Sequence, residues 1–215
     1  TQIKQFEDQR VLVVKRFDRK FKLFNDKEIL IRIPQEDICQ ALNISPYQKY
    51  QNEGGPGIQE ISKLLMASKV DEDRINFFKA IVIFDLLYAT DGHGKNFSIF
   101  LGKTGFKLTP FYDVMSAYFM HAREKISLTK LKLAMKVGDS GHYAFKRITR
   151  KHYEQTASKC GINSERFNKI MWGLQTSFEK LKFEQSELDP LLNQQTLQMI
   201  LEGMQQRAKV IFHNG

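Results

Sequence analysis

The sequence predicts an α+β fold that is predominantly helical. Three observations carry this. Short apolar runs bounded by charge lie before residue 34 and again between 97 and 108. Apolar residues recur at helical spacing from 58 to 87 and again from about 149 onward. Gly102-Lys103-Thr104-Gly105 separates the second pair of runs, as a hairpin turn does.

In chain order, Arg10–Arg19 is expected as a buried strand and Lys20–Asp26 as a turn. Glu28–Ile33 is expected as a second strand stopped by Pro34. Two strands alone are marginal, so their sheet partners are expected upstream. Pro34-Gln35-Glu36-Asp37 has the proline and acids of a helix start, with Ser45-Pro46 ending that helix. Gly54-Gly55-Pro56-Gly57 reads as the turning core of a loop. A phosphate cradle is the sharper alternative, but neither glycine-rich phosphate-loop spacing is present. Ile58, Ile61, Leu64 and Leu65 mark the next helix. Val70 to Leu87 is a central, largely buried helix in which Asp85 must be paired or lie on a wet face. Phe97–Leu101 and Phe106–Leu108 form the hairpin, and Val114–Tyr118 is a short apolar segment. Helices are expected from Thr149 through Gly161, from an N-cap at Ser164 through Phe183, and from Pro190 through Ile211.

Between the central helix and the hairpin lies Thr90-Asp91-Gly92-His93-Gly94-Lys95-Asn96-Phe97-Ser98. Asn96 follows Asp91 by five residues, and Asp113 follows the hairpin in Thr109-Pro110-Phe111-Tyr112-Asp113. An Asp, an Asn five residues on and an Asp after a hairpin is the order used by protein kinases. There the first Asp takes a hydroxyl proton, and the Asn and second Asp hold magnesium. Magnesium takes hard oxygen ligands, one or two from protein and the rest from phosphates and water. The base must stand beside the metal without ligating it. The bland alternative is a polar loop in which Asp91 and Asn96 make turns.

At 215 residues the chain suits one large domain or two small ones, and 42% hydrophobic content suffices for a core. No apolar run approaches the roughly 20 residues of a membrane span, and no signal peptide is visible, so no membrane partner is expected. Cys39 and Cys160 give neither metal spacing nor a disulfide framework, which suits a reduced, cytoplasmic setting. The formal charge is +9, and residues 120–152 hold nine Lys or Arg against two acids. Such a field attracts phosphate backbones or acidic proteins, unless it is simply a solvated face.

Five stretches, in this order, resemble the HipA family of bacterial toxin kinases. They are Val13 to Arg19, Pro34 to Gln40, Lys49-Tyr50 with Gly54-Gly55-Pro56-Gly57, Thr90 to Ser98, and Leu108 to Asp113. The resemblance covers nearly the whole chain and fades after about residue 155. It implies a serine/threonine kinase using ATP and Mg2+, with a protein-kinase-like C-terminal lobe. Asp91 matches the catalytic Asp, and Asn96 and Asp113 match the magnesium ligands. His93, Gly94, Lys95 and Tyr112 match positions lining the nucleotide, and Lys15, Arg16 and Phe17 match the hinge strand that meets the adenine. Family members carry a Ser-containing phosphate loop and a phosphate-gripping Lys upstream of the hinge, and neither is found in this sequence. The resemblance therefore implies residues 1–33 as the hinge hairpin of a missing N-lobe and 34–215 as the helical lobe, with little phosphoryl transfer by this piece alone. It further implies a HipB-like DNA-binding antitoxin, operator DNA through that complex, and a translation component, an aminoacyl-tRNA synthetase, as substrate. Lys146, Arg147, Arg150 and Lys151 are the candidate DNA or antitoxin contacts. Two readings stay open beside it: a non-catalytic module holding antitoxin and DNA, and a lipid or small-molecule kinase.

Overall fold

One core helix and one small sheet hold the polar loop at residues 90–97. The computed structural model describes residues 1–181 and 192–213. The chain opens with two antiparallel ribbons, β1 (Gln2–Phe6) with β2 (Gln9–Val13), then β3 (Arg19–Phe24) with β4 (Lys27–Arg32). Next come β5 (Gln35–Asp37) and α1 (Ile38–Ala41), then α2 (Ile58–Leu65) and α3 (Asp73–Leu86). β6 (Ser98–Gly102) and β7 (Gly105–Leu108) follow the loop, and β5 joins them in a three-stranded antiparallel sheet of order β5-β6-β7. α4 (Tyr118–Ala122), the pair β8 (Lys132–Val137) and β9 (His142–Ala144), α5 (Arg150–Lys159), α6 (Ser164–Lys180) and α7 (Gln194–Phe212) complete the described residues. Among them, no helix is long and apolar enough to cross a membrane.

Several expectations from sequence are corrected. The buried strand over 10–19 does not form: β2 ends at Val13, is exposed throughout, and pairs with β1. Lys15, Arg16 and Phe17 lie in the connection to β3, so there is no hinge strand. The break comes at Asp18, which is 5% exposed and accepts hydrogen bonds from Arg16 at 2.8 and 2.7 Å. The segment expected to turn at 20–26 is largely β3, in register with β4 through Phe21↔Leu30 and Leu23↔Glu28. Gln35–Asp37 is a strand, not a first helical turn, because its backbone pairs with Ser98–Phe100. The helix starts one residue later, with Asp37 as N-cap in a capping box with Gln40, and ends at Ala41, short of Ser45. Asn163, not Ser164, caps α6 through its side chain. β8 and β9 were not expected. The expected bounds at Phe183 and Pro190 lie outside the described residues.

The central helix is confirmed as a core helix. Ten of the 14 residues of α3 are buried, so it is packed on nearly every side. Its N-terminus is tied to the hairpin: Asp73 accepts from Ser68 Oγ at 2.5 Å and from the Leu108 amide at 2.6 Å. Near its other end Asp85 is fully buried and paired, as expected for a carboxylate inside an apolar helix. Arg207 of α7 donates to it through Nε, and through Nη2 at 2.8 Å, and Tyr153 of α5 donates at 2.5 Å. Arg207 Nη2 also reaches the Ile148 carbonyl at 2.9 Å. Burial pushes the Asp85 carboxyl up, against the opposing pull of Arg207 and Tyr153. By contrast, β1 to β4 leave Phe6, Leu12, Phe21, Leu23 and Phe24 each more than half exposed.

Arg207→Leu strands the Asp85 charge in the core. The expected cost is about 3–5 kcal/mol of stability, read as a lowered urea midpoint, with Tyr153→Phe costing less.

Candidate active site

α3 delivers the chain into the loop and β6 takes it out, so both ends are fixed. Tyr88 adopts a left-handed conformation (φ 52°) after the helix, and the Ala89 amide bonds the Phe84 carbonyl at 2.8 Å. Phe97 closes the other end, its ring 5.0 Å from Phe77 and 5.5 Å from Phe84. Two glycines are required by close approach. A Cβ on Gly92 would lie 2.4 Å from the Phe84 ring. One on Gly94 would lie 2.6 Å from Pro56 and 2.8 Å from Cys39 Sγ. The Gly-Gly-Pro-Gly stretch is therefore a wedge under the loop. It does not cradle phosphate: the Gly54 and Gly55 amides bond the Gln51 and Tyr50 carbonyls, and the Gly57 amide bonds Glu60.

Asn96 and Asp113 meet at this loop, and Asp91 lies beside the buried His93. Asp91 is 39% exposed at its side chain. Asn96 is buried, and its Nδ2 donates to Asp113 Oδ2 at 2.9 Å. The other atom of that amide, Asn96 Oδ1, is buried with no hydrogen-bond partner among the described residues. Leaving such an acceptor unpaired costs about 1–3 kcal/mol. A cation between the amide oxygen and the carboxylate would remove that penalty, and both are hard oxygen donors of the kind magnesium takes. The residues present thus fit magnesium. Asp113 holds a left-handed backbone (φ 56°), strained for a residue other than glycine and of the kind found at functional sites.

Other expected residues divide clearly. Tyr112 donates to the Lys95 carbonyl at 2.8 Å and is bonded to Ser98 Oγ at 2.6 Å. Burial pushes its phenol up. Phe17 packs 5.8 Å from Tyr112 and 5.6 Å from Phe100, so it does join the site. Lys15 is exposed, and Arg16 is engaged by Asp18. The Lys95 ammonium is held by Asp37 at 2.6 Å, making it a strut between β5 and the loop. His93 is 5% exposed, with Nε2 3.7 Å from Asp91 Oδ1. Burial holds its pKa below the usual value, leaving it neutral at pH 7. Tyr50, quoted above only as part of a motif, donates to Asp91 Oδ1. That bond pushes its phenol up to about 12.

The basic candidates separate as well. Lys146 and Arg147 are exposed and line a concavity of about 670 Å³ with Thr129, Lys132, His142 and Tyr143. Arg150 instead bonds Asn168 at 2.7 Å and lies over the Phe167 ring. Lys151 is exposed on α5.

With this geometry in view, comparison with known proteins is direct. A family model described as the HipA-like C-terminal domain matches residues 1–181. The chain belongs to the HipA family. A kinase-named relative from Sinorhizobium fredii, Y4mE, is 38% identical over 108 residues, covering 49% of this chain and 25% of the relative. The serine/threonine-protein kinase toxin HipA of Shewanella oneidensis is 31% identical over 130 residues, covering 53% of this chain and 29% of that protein. A solved structure of HipA from the same organism, in complex with HipB and operator DNA, matches with a TM-score of 0.74 at 20% identity. That match covers 96% of this chain and 49% of the solved one, and it shows a shared fold. The HipA-like region seen here thus spans about half the length of that solved relative.

His93 supplies a pH dependence. Its pKa is depressed on folding, so its contribution to stability is full above about 6.5 and is lost as pH falls through the lower folded value. Urea melts from pH 7 to 5 should show falling stability, with a shallower fall in His93→Gln.

Proposed function

We propose that this chain is the catalytic lobe of a HipA-type serine/threonine protein kinase, with the lobe proper at 34–215 and residues 1–33 leading into it. The unpaired, buried Asn96 oxygen beside Asp113 is the single observation that carries this reading. Asn96 and Asp113 would hold magnesium. When bound, magnesium–ATP supplies the γ-phosphate and neutralises its charge. Asp91 stands off that pair, exposed, and accepts the proton of the acceptor hydroxyl. Phe17 and Tyr112 would bound the adenine side, with His93 and Gly94 beneath the phosphates. His93, kept neutral, adds no charge next to Asp91. Lys15 and Arg16 would border the adenine through their backbone beside Phe17, and Lys95, held by Asp37, would brace the nucleotide side of the loop. The intact Asp91, Asn96 and Asp113 set favours a working kinase over a non-catalytic module.

The kinase names of the relatives support the reaction class, and the HipB–operator complex of the Shewanella protein supports a HipB-like antitoxin and operator DNA as partners. The substrate proposed is a protein of the translation machinery, an aminoacyl-tRNA synthetase. Lys146 and Arg147 are the better candidates for the DNA or antitoxin face, with Lys151 beside them. Arg150 is spent on α6. The setting proposed is the cytoplasm.

Asp91→Asn in the full-length protein should abolish phosphoryl transfer from radiolabelled ATP while leaving the melting temperature unchanged. Asp113→Asn suits the left-handed backbone and removes the charge, so calorimetry should show loss of magnesium-dependent ATP binding. Retained transfer in the first, or retained binding in the second, would overturn these roles. Charge reversal at Lys146 and Arg147 should weaken operator binding by the antitoxin complex and lower its salt dependence by about two ions. An unchanged salt slope in a filter-binding titration would reject that face.

A further inference from the structure

Tyr50 lies 41 residues before Asp91, in a different part of the fold, and yet its hydroxyl donates to Asp91 Oδ1. We propose that Tyr50 is a positioning residue: it pins one carboxylate oxygen of Asp91 so that the other is presented to the acceptor hydroxyl. This rests on the reading of Asp91 as the base.

The opposite role must be weighed, because a hydroxyl on the base also resembles an acceptor hydroxyl and could compete with it. A competitor has to leave during each turnover, and Tyr50 is built in. The Lys49 carbonyl accepts the Gly94 amide at 3.2 Å, which joins the Tyr50 backbone to the loop that carries Asp91. The Tyr50 carbonyl accepts the Glu53 amide at 3.0 Å and the Gly55 amide at 2.8 Å. Its ring meets the buried His93 ring edge-on at 4.9 Å, and the Lys49 ammonium lies 5.1 Å from its centre. Pro56, four residues on from Glu53's predecessor Asn52, wedges against Gly94 in the same unit. Tyr50 and the loop therefore move together. Asp91 keeps 39% of its side chain exposed with the bond in place.

The phenol suits this task. It donates one hydrogen bond and carries no charge, so it fixes the carboxylate without neutralising it. The buried His93, with Nε2 3.7 Å from the same oxygen, flanks that side of the base.

The test is Tyr50→Phe in the full-length protein, which removes the hydroxyl and keeps the ring contact with His93. Transfer is followed from radiolabelled ATP onto the protein itself and onto a panel of purified aminoacyl-tRNA synthetases. The expected result is a kcat lower by about tenfold to hundredfold, with KM for ATP and the melting temperature unchanged. Magnesium-dependent ATP binding by calorimetry should be unchanged, because the hydroxyl meets Asp91 and not Asn96 or Asp113. Unchanged or raised kcat in Tyr50→Phe while Asp91→Asn is inactive overturns the positioning role and leaves the base assignment standing. Full activity in Asp91→Asn overturns both. Loss of magnesium-dependent ATP binding in Tyr50→Phe also overturns it, since the hydroxyl would then act on something other than Asp91.

Discussion

The buried Asp85–Arg207 pair is the constraint on which the rest depends. It joins the last described helix to the core helix one turn before the loop that carries Asp91. Tyr153 brings α5 to the same carboxylate, and the Ile148 carbonyl takes a further guanidinium hydrogen. One ion pair thus gathers three helices and the connection before α5. Its worth lies less in net stability than in register, because an apolar substitute for both partners could fill the space without specifying which turn of α7 faces α3. α7 also receives the segment that follows Asp113. Gly203 lies so close to Tyr118 that a Cβ would sit 2.4 Å from its ring, and Tyr118 donates to Gln206 at 3.1 Å. The strand, loop, hairpin and returning segment of the site therefore rest on one frame.

Within that frame the loop is held by backbone proximity. Gly92 lies against Phe84 and Gly94 against Pro56 and Cys39, distances that no side chain would permit. Rigid support of this kind matters because displacements of about 1 Å at a reacting group cost large factors in rate.

That Asn96 and Asp113 come together was legible in the sequence, because their order and spacing survive the folding of one hairpin. The central helix was legible because its apolar run exceeds any strand. Tyr50, Asp37 and Ser98 were not, since each acquires its partner through a tertiary approach that spacing does not encode. Lys146 and Arg150 look alike in a basic run, yet one is exposed and the other stacks on Phe167. β8 was missed because Leu133, Ala134 and Met135 are buried in succession, which erases the alternation that marks a half-buried strand. The N-terminal run was misread as one strand because β-branched residues continue to Val14, while the buried Asp18 and its two arginines set the break.

The two N-terminal ribbons have a consequence for handling the molecule. Each is two strands wide among the described residues, and Phe21, Leu23 and Phe24 crowd apolar surface on β3, at the edge of the second. Open edges next to apolar faces template further strands. Interspersed Lys4, Lys20, Lys22 and Lys27 oppose this through charge repulsion, which salt screens over about 8 Å at physiological strength. Colloidal stability of this chain therefore depends on ionic strength through its first 33 residues.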